Sequence, residues 1–515
     1  MLFNSWEYFV FLPVVLVLYY SLTRRWQNYL LLAASYFFYS WWDWRFTVLL
    51  VISTVVDFYL GLAIHQAQEA HQRKRWLLVS CIVNFGMLGF FKYFNFFADS
   101  AAHLLQALGL QAHPFVLQII LPAGISFYTF QTMNYVIDIY RREMEPTRNI
   151  LTYAAFVSYF PHLVAGPIIR AELLLPQLEN ERVVDNQKFR GGCLLILIGL
   201  FKKVVIADSL APDVTPYFTH PATYSSLALL KGLYYFSLQI YCDFSGYTDI
   251  ARGTSRLLGI ELPENFNQPY LSQTITEFWR RWHISLSSWL RDYLYIPLGG
   301  NRRGRLRTYG NLMLTMILGG LWHGANWTFV AWGFLHGLYL AAHKFILELR
   351  PAPKLRSQVS GLLARCAPVS DRALQSTEGL QSQVSSLNPQ PSTSDHGLRS
   401  SLFPPLALRL IKIVVTFHLV CLTWIFFRAP NFTTAFSYLV GIVHWHGGFP
   451  VATIAKPLFW ILLVLALDVP QDLGKSHTVM LRWPWLLRGA VYAGIIFALA
   501  MSRTEHAIPF IYFQF

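Results

Sequence analysis

The sequence predicts an all-α polytopic membrane protein, and three observations lead to this fold class. Charged residues make up 13% of the 515 positions, whereas apolar residues make up 54%. The mean hydropathy of +0.38 is far above that of a soluble globular chain. Apolar runs close to the roughly 20 residues that a helix needs to cross a bilayer recur along the whole chain.

These apolar runs predict the helices in order. They lie at 6–21, 27–42, 46–64, 76–97, 115–138, 151–169, 191–206, 226–248, 309–321, 326–347, 406–427, 434–444, 455–469 and 485–502. Several are shorter than a full span, which predicts re-entrant or interfacial segments among them. The first run has no basic segment before it and no small-residue cleavage site after it, so we expect it to be retained in the protein.

The basic residues indicate topology. Arg24 and Arg25 follow the first run, 73–75 follow the third and 141–148 the fifth, whereas residues 98–114 contain neither Lys nor Arg. Basic loops lie on the cytoplasmic side of a membrane, so we expect the N-terminus outside and these loops in the cytoplasm. The net charge of +14 is therefore explained by topology. We expect contact with membrane lipid and no binding of nucleic acid.

The long connection at 251–308 is strongly basic and is predicted to be cytoplasmic. Its four carboxylates are outnumbered by the arginines at 252, 256, 280, 281, 291, 302, 303, 305 and 307. Within it, apolar residues recur at helical spacing over 278–293, while polar residues occupy other faces. This pattern predicts one amphipathic helix that lies against the membrane or dips into it.

The run at 309–321 is short and ends in Gly319 and Gly320, with Gly324 just beyond. This predicts a hairpin with the run at 326–347, since irregular backbone at membrane depth survives only where protein or a cavity covers it. The next segment, 351–405, is rich in Ser, Gln and Pro and predicts a flexible cytoplasmic insert. Residues 1–350 and the C-terminal membrane helices at 406–515 then form a single domain around this insert.

His323 is the strongest candidate for a catalytic residue. It lies in the stretch Leu-Gly-Gly-Leu-Trp-His-Gly-Ala-Asn-Trp at 318–327. A charged side chain at the bilayer centre costs about 2.5 to 3.5 kcal/mol, so titratable groups at this depth usually have a function. A structural hydrogen bond between helices is the alternative. A neutral imidazole can take a proton from an acceptor hydroxyl.

Two other histidines are less distinctive. On one continuous helix, His336 would lie about 20 Å from His323 and on another face, so we expect it to make a structural hydrogen bond instead. A helix break at Gly324 would allow His336 and His323 to lie closer together than this. The spacing around His283 suits an interfacial histidine as well as a functional one. Nearby Arg280, Arg281 and Arg291 can anchor the topology or contact a phosphate-bearing donor, and neither role excludes the other.

Further polar residues lie in apolar surroundings, where exposure to lipid would be costly. They are Asp138, His162, Asp243 and Asp249. Either a buried structural network or a substrate path would account for them. The five cysteines are scattered without a C-x-x-C pair, so we expect neither a disulfide framework nor a metal site. Familiar soluble catalytic motifs such as a P-loop or a G-x-S-x-G elbow are absent from the sequence.

Taken together and in order, six stretches of the sequence resemble the membrane-bound O-acyltransferase family, in its bacterial branch of alginate O-acetylases and D-alanyl transfer proteins. The stretches are 241–253, 278–301, 318–337 and 423–428, with support from 160–170 and 202–208. The resemblance covers nearly the whole chain and implies a ring of tilted helices, with re-entrant segments, around a tunnel. It also implies that His323 is the catalytic histidine and that His283 is a supporting residue of the reaction chamber. The insert looks longer than is usual in this branch.

The resemblance implies an O-acyltransferase of the bacterial inner membrane. It would pass acetyl groups from a cytoplasmic donor, acetyl-CoA as co-substrate without a bound cofactor, toward an exported polysaccharide, with alginate as the leading expectation. His323 would activate the sugar hydroxyl directly or assist transfer to a second, periplasmic acetyltransferase. The resemblance favours the second route, which implies periplasmic or membrane partner proteins and a polysaccharide export complex. The alternatives are another exopolysaccharide, D-alanyl transfer to teichoic acid, or a transporter in which His323 belongs to a proton relay.

Overall fold

The computed structural model describes residues 1–111, 113, 115–164, 166–349, 405–448, 451–502 and 508–511, and every regular element in these ranges is helical. The predicted all-α fold class is confirmed. The insert predicted at 351–405 lies, apart from Pro405, outside the described residues. The α-helices are α1 (Trp6–Ser21), α2 (Arg24–Asp43), α3 (Thr47–Gln66), α4 (Ala70–Leu88), α5 (Phe94–Ala107), α6 (Ile125–Arg141), α7 (Ile150–Ser158), α8 (Phe160–Leu163), α9 (Ala171–Glu179), α10 (Asn186–Leu200), α11 (Asp208–Thr219), α12 (Ser226–Leu257), α13 (Ile275–Arg281), α14 (Ile284–Leu290), α15 (Arg305–His323), α16 (Trp327–Leu349), α17 (Pro405–Arg428), α18 (Phe432–Val443), α19 (Val451–Gly474) and α20 (Trp485–Met501).

Within the described ranges, five helical segments are long and apolar enough to cross a membrane: 24–66, 70–107, 327–349, 406–428 and 454–474. Helices α1, α18 and α20 are apolar but shorter. The chain is therefore a multi-pass membrane protein, as predicted.

The predicted run at 115–138 is helical only from Ile125 onward. Pro122 and Gly124 precede this helix, and Gly124 has the left-handed backbone φ of 76° that favours glycine. A proline without an N–H group and a left-handed residue together prevent an earlier helix start. The apolar residues before Ile125 are therefore not helical, and several of them line the cavity described below.

Helix α12 forms the centre of the packed core. It has 32 residues and extends about 48 Å at 1.5 Å per residue. It packs against α10 with direct backbone contact, because a Cβ atom on Gly253 would lie only 2.6 Å from the Gly192 carbonyl oxygen. The pair Gly246 and Gly199 repeats this contact along the same interface. Small residues of this kind allow membrane helices to approach closely.

The three basic loops that follow α1, α3 and α6 meet at one end of the molecule. Glu179 accepts hydrogen bonds from Arg24, after α1, and from Thr147, after α6. In addition, Arg142 donates to the carbonyl oxygen of Ala67, which lies just after α3. A common end for these loops is what the positive-inside prediction requires of them.

The prediction of a single amphipathic helix over 278–293 is wrong. The segment is divided into α13, α14 and a π-helical turn at Arg291–Tyr295. The break lies at Trp282 and His283, where His283 has a left-handed φ of 43°. Both side chains are fully buried in protein. The backbone N–H of Ile284 donates to the Asn265 carbonyl at 2.9 Å, so the neighbouring loop holds the break in place.

Candidate active site

His323 is the last residue of α15, and aromatic side chains enclose its ring. Only 3% of the residue is exposed. The ring centroids of Trp332, from α16, and Phe427, from α17, lie 5.1 Å and 5.4 Å from the imidazole centroid. Three helices therefore converge on this side chain and shield it from lipid.

Helix α15 ends at His323 because the next residue turns the chain. Gly324 is extended, and a Cβ atom at this position would overlap the ring of Phe329. The Asn326 side chain then accepts a hydrogen bond from the first turn of α16 at 3.0 Å. A Cβ atom on Gly333 would overlap the Met316 carbonyl oxygen, so α16 returns along α15 with its backbone in contact. This is the hairpin that the glycine spacing predicts.

His283 lies beside His323, with 6.2 Å between their ring centroids. Its Nδ1 lies 3.2 Å from Oδ1 of Asn265, and this oxygen also accepts from the backbone N–H of Ser285 at 3.1 Å. An amide oxygen only accepts hydrogen bonds, so Nδ1 of His283 carries the proton. In the neutral ring Nε2 is therefore the basic nitrogen. It makes no hydrogen bond to any described residue.

A cavity of about 310 Å³ opens beside His323. Among the described residues, its lining contains one lysine, one histidine and no carboxylate, and is otherwise mainly apolar. The lining residues are Trp42, Lys92, 121–127, Val164, Trp322, His323 and Pro509. A cavity of this size is at the lower end of those that hold small ligands.

The cavity and the basic loops lie at opposite ends of several helices. Helices α2 and α6 each have one terminus at the basic end, and Trp42 and Ile125, near their other termini, line the cavity. Helix α15 has 19 residues, about 28 Å at 1.5 Å per residue, and places His323 at the cavity. A group that reaches His323 through this cavity therefore approaches from the end opposite the basic loops.

Lys92 is a cavity residue that the sequence analysis did not single out. Its Nζ donates to the carbonyl oxygens of Trp322 at 2.6 Å and His323 at 3.1 Å. It also lies 3.4 Å from Oγ of Ser126. The sequence does show that Lys92 is an isolated lysine within the apolar run at 76–97. A charged group at membrane depth is energetically costly, so Lys92 could have been recognised as a functional candidate for the same reason as His323.

His336 makes the structural hydrogen bonds expected of it. The indole N–H of Trp279 donates to Nδ1 at 3.3 Å, so Nε2 carries the proton and donates to Oγ1 of Thr423 at 2.9 Å. Both ring nitrogens are thus occupied. The separation expected from a continuous helix does not hold, however, because the hairpin intervenes. The rings of His336 and His323 both contact Trp332.

Arg281 is engaged within the chain. It forms ion pairs with Glu277 at 2.8 Å and with Asp472 at 2.9 Å, which tie α13 to the end of α19. Arg281 is half-buried there. Its guanidinium therefore has a structural role, whether or not it also contacts a donor.

Arg280 and Arg291 are exposed. Among the residues that the structure describes, Arg280 has no ion pair, whereas Arg291 and Arg170 both contact Asp292. Burial raises the pKa of Asp292, but hydrogen bonds and charges from the two arginines outweigh this effect and hold that pKa below its usual value. Of the three predicted donor contacts, Arg280 is thus the one whose charge is not already matched by a described carboxylate.

Three buried aspartates form ion pairs with two adjacent lysines, and two of them, Asp243 and Asp249, are among the predicted polar residues. Lys203 lies 2.6 Å from Asp243 and 2.7 Å from Asp208, and Lys202 lies 2.9 Å from Asp249. All five side chains are almost completely buried. A buried charge needs such partners, so these contacts favour the structural interpretation of the predicted polar residues.

The remaining predicted polar residues also have hydrogen-bond partners within the core. Asp138 accepts from the Tyr293 hydroxyl at 2.8 Å, and Nε2 of His162 lies 2.7 Å from Oε1 of Gln131. In the described part of the chain, no group of three or more His, Cys, Asp or Glu residues is arranged to hold a metal ion.

Comparison with known proteins gives one family and several close relatives. Residues 141–362 match the model of the membrane-bound O-acyltransferase family. The chain is 50% identical over 348 residues to the probable alginate O-acetylase AlgI of Azotobacter vinelandii, covering 67% of this chain and 69% of that protein. For the Pseudomonas aeruginosa protein of the same name the identity is 43% over 429 residues, with 83% and 72% covered. The peptidoglycan O-acetyltransferase of Helicobacter pylori is 35% identical over 479 residues, with 87% and 80% covered.

Proposed function

The chain belongs to the membrane-bound O-acyltransferase family and is an O-acyltransferase, and on that premise we propose that it supplies acetyl groups for an exported polysaccharide. The donor is acetyl-CoA on the cytoplasmic side of the inner membrane, and the polymer is alginate. The relatives named alginate O-acetylase, at 43% to 50% identity, support this choice of acyl group and polymer.

One observation carries the proposal for the site. His323 lines a cavity at the end opposite the basic loops, and the Nε2 of His283 nearby makes no hydrogen bond to a described residue. This arrangement suits a reaction in which the thioester arrives from the basic end and the acceptor hydroxyl from the cavity. The basic loop residue Arg280 suits the phosphates of coenzyme A.

The transfer step needs one base. His323 takes the proton of the acceptor hydroxyl, whose oxygen forms a C–O bond with the acetyl carbon. The C–S bond of the thioester then breaks, and the imidazolium returns its proton to the leaving thiolate, which departs as a thiol. Such general base catalysis contributes about 10² to 10⁴ in rate.

The acceptor hydroxyl belongs either to the polymer or to a partner acetyltransferase in the periplasm that passes the acetyl group on. The family resemblance favours the partner route. On this route, product formation depends on periplasmic or membrane acetyltransferase proteins and on the polysaccharide export complex. The Helicobacter pylori relative makes peptidoglycan the second candidate polymer.

The test is the acetyl content of exported polymer in cells whose own copy of the gene is deleted. The cells carry the unchanged chain, His323→Ala or His336→Ala, with the amount of protein in the membrane matched by immunoblot. We expect His323→Ala to export the normal amount of polymer without acetyl groups. The control His336→Ala, which removes a histidine from the same hairpin, keeps its acetylation per molecule of protein.

Three results would contradict the proposal. Normal acetylation in the His323→Ala cells would show that His323 is not the catalytic base. Normal acetylation with lost polymer export would favour a transporter. A loss of acetyl groups from peptidoglycan alone would show that peptidoglycan, and not alginate, is the acceptor polymer. Deleting a partner acetyltransferase separates the two routes, because direct transfer would continue without it.

A further inference from the structure

Lys92 joins three elements around the cavity. It lies in the π-helical segment Gly89–Tyr93, and its ammonium contacts the carbonyl oxygens of Trp322 and His323 at the end of α15 and the Ser126 hydroxyl of α6. An ammonium has three protons, so these three acceptors use its whole donor capacity. The orientation of the side chain is therefore fixed.

The next residue completes the contact with the end of α15. The Tyr93 hydroxyl donates to the Leu321 carbonyl oxygen at 2.9 Å. The last carbonyl groups of an α-helix have no partner within the helix, and here three consecutive ones are bound by two consecutive side chains. A π-helical turn often occurs at functional sites. In this chain it presents Lys92 and Tyr93 to the helix end that carries His323.

The charge of Lys92 has no described carboxylate opposite it. Within the described ranges it forms no ion pair with an aspartate or glutamate, and the lining of the cavity contains no acidic side chain. Its only electrostatic compensation there is the negative end of the α15 dipole, equivalent to about half an elementary charge. Among the described residues, no acidic side chain therefore offsets the charge of Lys92 beside His323.

We propose that Lys92 is a positioning residue for the acyl transfer. Its ammonium fixes the carbonyl groups of Trp322 and His323, which sets the direction in which the His323 imidazole faces the cavity. Its charge favours the negative charge that develops on the acetyl oxygen during transfer. This inference rests on the function proposed above. It adds a residue that acts by orienting His323 and by the electric field of its own positive charge.

The two effects have different chemical requirements. Holding the carbonyls needs a hydrogen-bond donor of suitable length, whereas stabilising developing negative charge needs a cation. A fixed charge in a site that excludes water stabilises a transition state far more than it would in water. Arginine at position 92 keeps both properties, glutamine keeps only the donor, and methionine keeps neither.

The experiment measures acetyl transfer in membrane vesicles from cells that make the polymer and carry the full chain with its partner proteins. Acetyl-CoA labelled in the acetyl group is the probe, and the label entering polymer is followed against donor concentration. The variants are Lys92→Arg, Lys92→Gln and Lys92→Met. Tyr93→Phe is the matched control, since it removes a neutral hydrogen bond to the same helix end.

We expect Lys92→Met to lower kcat by about 10²-fold, the loss that follows from small errors in position. The KM for acetyl-CoA changes by less than about threefold, because uniform donor binding is not affected. Lys92→Arg recovers more activity than Lys92→Gln, and Tyr93→Phe stays within about threefold of the unchanged chain.

A kcat of Lys92→Met close to that of the unchanged chain would overturn the proposal, as would an equal loss in Tyr93→Phe. If Lys92→Met does not accumulate in the membrane, the activities of Lys92→Arg and Lys92→Gln test the proposal instead. Equal activity of these two variants would refute the role of the charge. His323→Ala is measured in parallel. An active His323→Ala would refute the catalytic role proposed for His323, and no transfer of label to polymer by the unchanged chain would refute the proposed function itself. An inactive His323→Ala beside an active Lys92→Met would refute only the role of Lys92.

Discussion

The imidazole rings of His283 and His323 lie 6.2 Å apart at the junction of two helical elements. One histidine precedes the first turn of α14, and the other ends α15. Because Asn265 fixes the proton of His283 on Nδ1, its Nε2 is left as a hydrogen-bond acceptor that has no partner among the described residues. A polar acceptor beside the proposed base can orient the substrate hydroxyl or the His323 ring.

The first prediction concerns this acceptor. His283→Ala should lower kcat by at least about tenfold, since a buried partner that loses its hydrogen bond costs about 1 to 3 kcal/mol. His283→Asn should keep more activity, because asparagine retains a polar group and tolerates the left-handed backbone at φ 43°. Initial rates of acetyl transfer at matched protein amounts check this order. Equal activity of the two variants would show that the polar group is not needed.

The second prediction concerns the turn after the proposed base. Gly324→Ala should lower both folding stability and kcat, because the added Cβ overlaps the Phe329 ring. Forcing one methyl group into a packed site costs about 1 to 3 kcal/mol. The double variant Gly324→Ala with Phe329→Leu should recover part of both. Thermal unfolding in detergent and initial rates measure the two effects, and a double variant no better than the single one would contradict this explanation.

The sequence predicts helix positions well because the bilayer imposes a simple rule on length and hydropathy. It also predicts the hairpin at His323, since the glycines of α15 and α16 mark close backbone contact. The positions of individual side chains follow less directly. The break before α14 was missed because apolar spacing continues across His283. The break depends on a hydrogen bond that the Ile284 N–H donates to the carbonyl oxygen of Asn265, which lies in another segment.

Lys92 was missed for a different reason. Its role depends on contacts with α15 and α6, which are distant in the chain, and no local pattern reports them. The same applies to the pairing of Lys203 with Asp243. Both residues could be recognised as costly inside a membrane, but only the packing of the helices shows which charges compensate each other.

The third prediction concerns this buried ion pair. Lys203→Met leaves the carboxylates of Asp208 and Asp243 buried without their cation, which should cost about 3 to 5 kcal/mol of folding stability. The amount of protein in the membrane should fall accordingly. Lys475→Met is the control, since that side chain is 75% exposed and its ion pair with Asp472 is worth at most about 1 kcal/mol. An equal effect of both variants would contradict the structural role of Lys203.

The last prediction separates the arginines of the basic loop. Arg281 already pairs with Glu277 and Asp472, and Arg291 with Asp292, whereas Arg280 is exposed and has no ion pair within the described ranges. Arg280→Ala should therefore raise the KM for acetyl-CoA, with little change in thermal stability, because a charge-assisted bond to phosphate contributes about 1.5 to 3 kcal/mol.

Arg281→Ala should do the opposite, lowering the unfolding temperature while the folded fraction keeps its KM. Rates of acetyl transfer against acetyl-CoA concentration, at two salt concentrations, provide the measurement. The effect of Arg280→Ala should weaken at high salt, since the interaction of an exposed charge with phosphate is screened. A raised KM in Arg281→Ala together with an unchanged KM in Arg280→Ala would place the donor on the other face of α13.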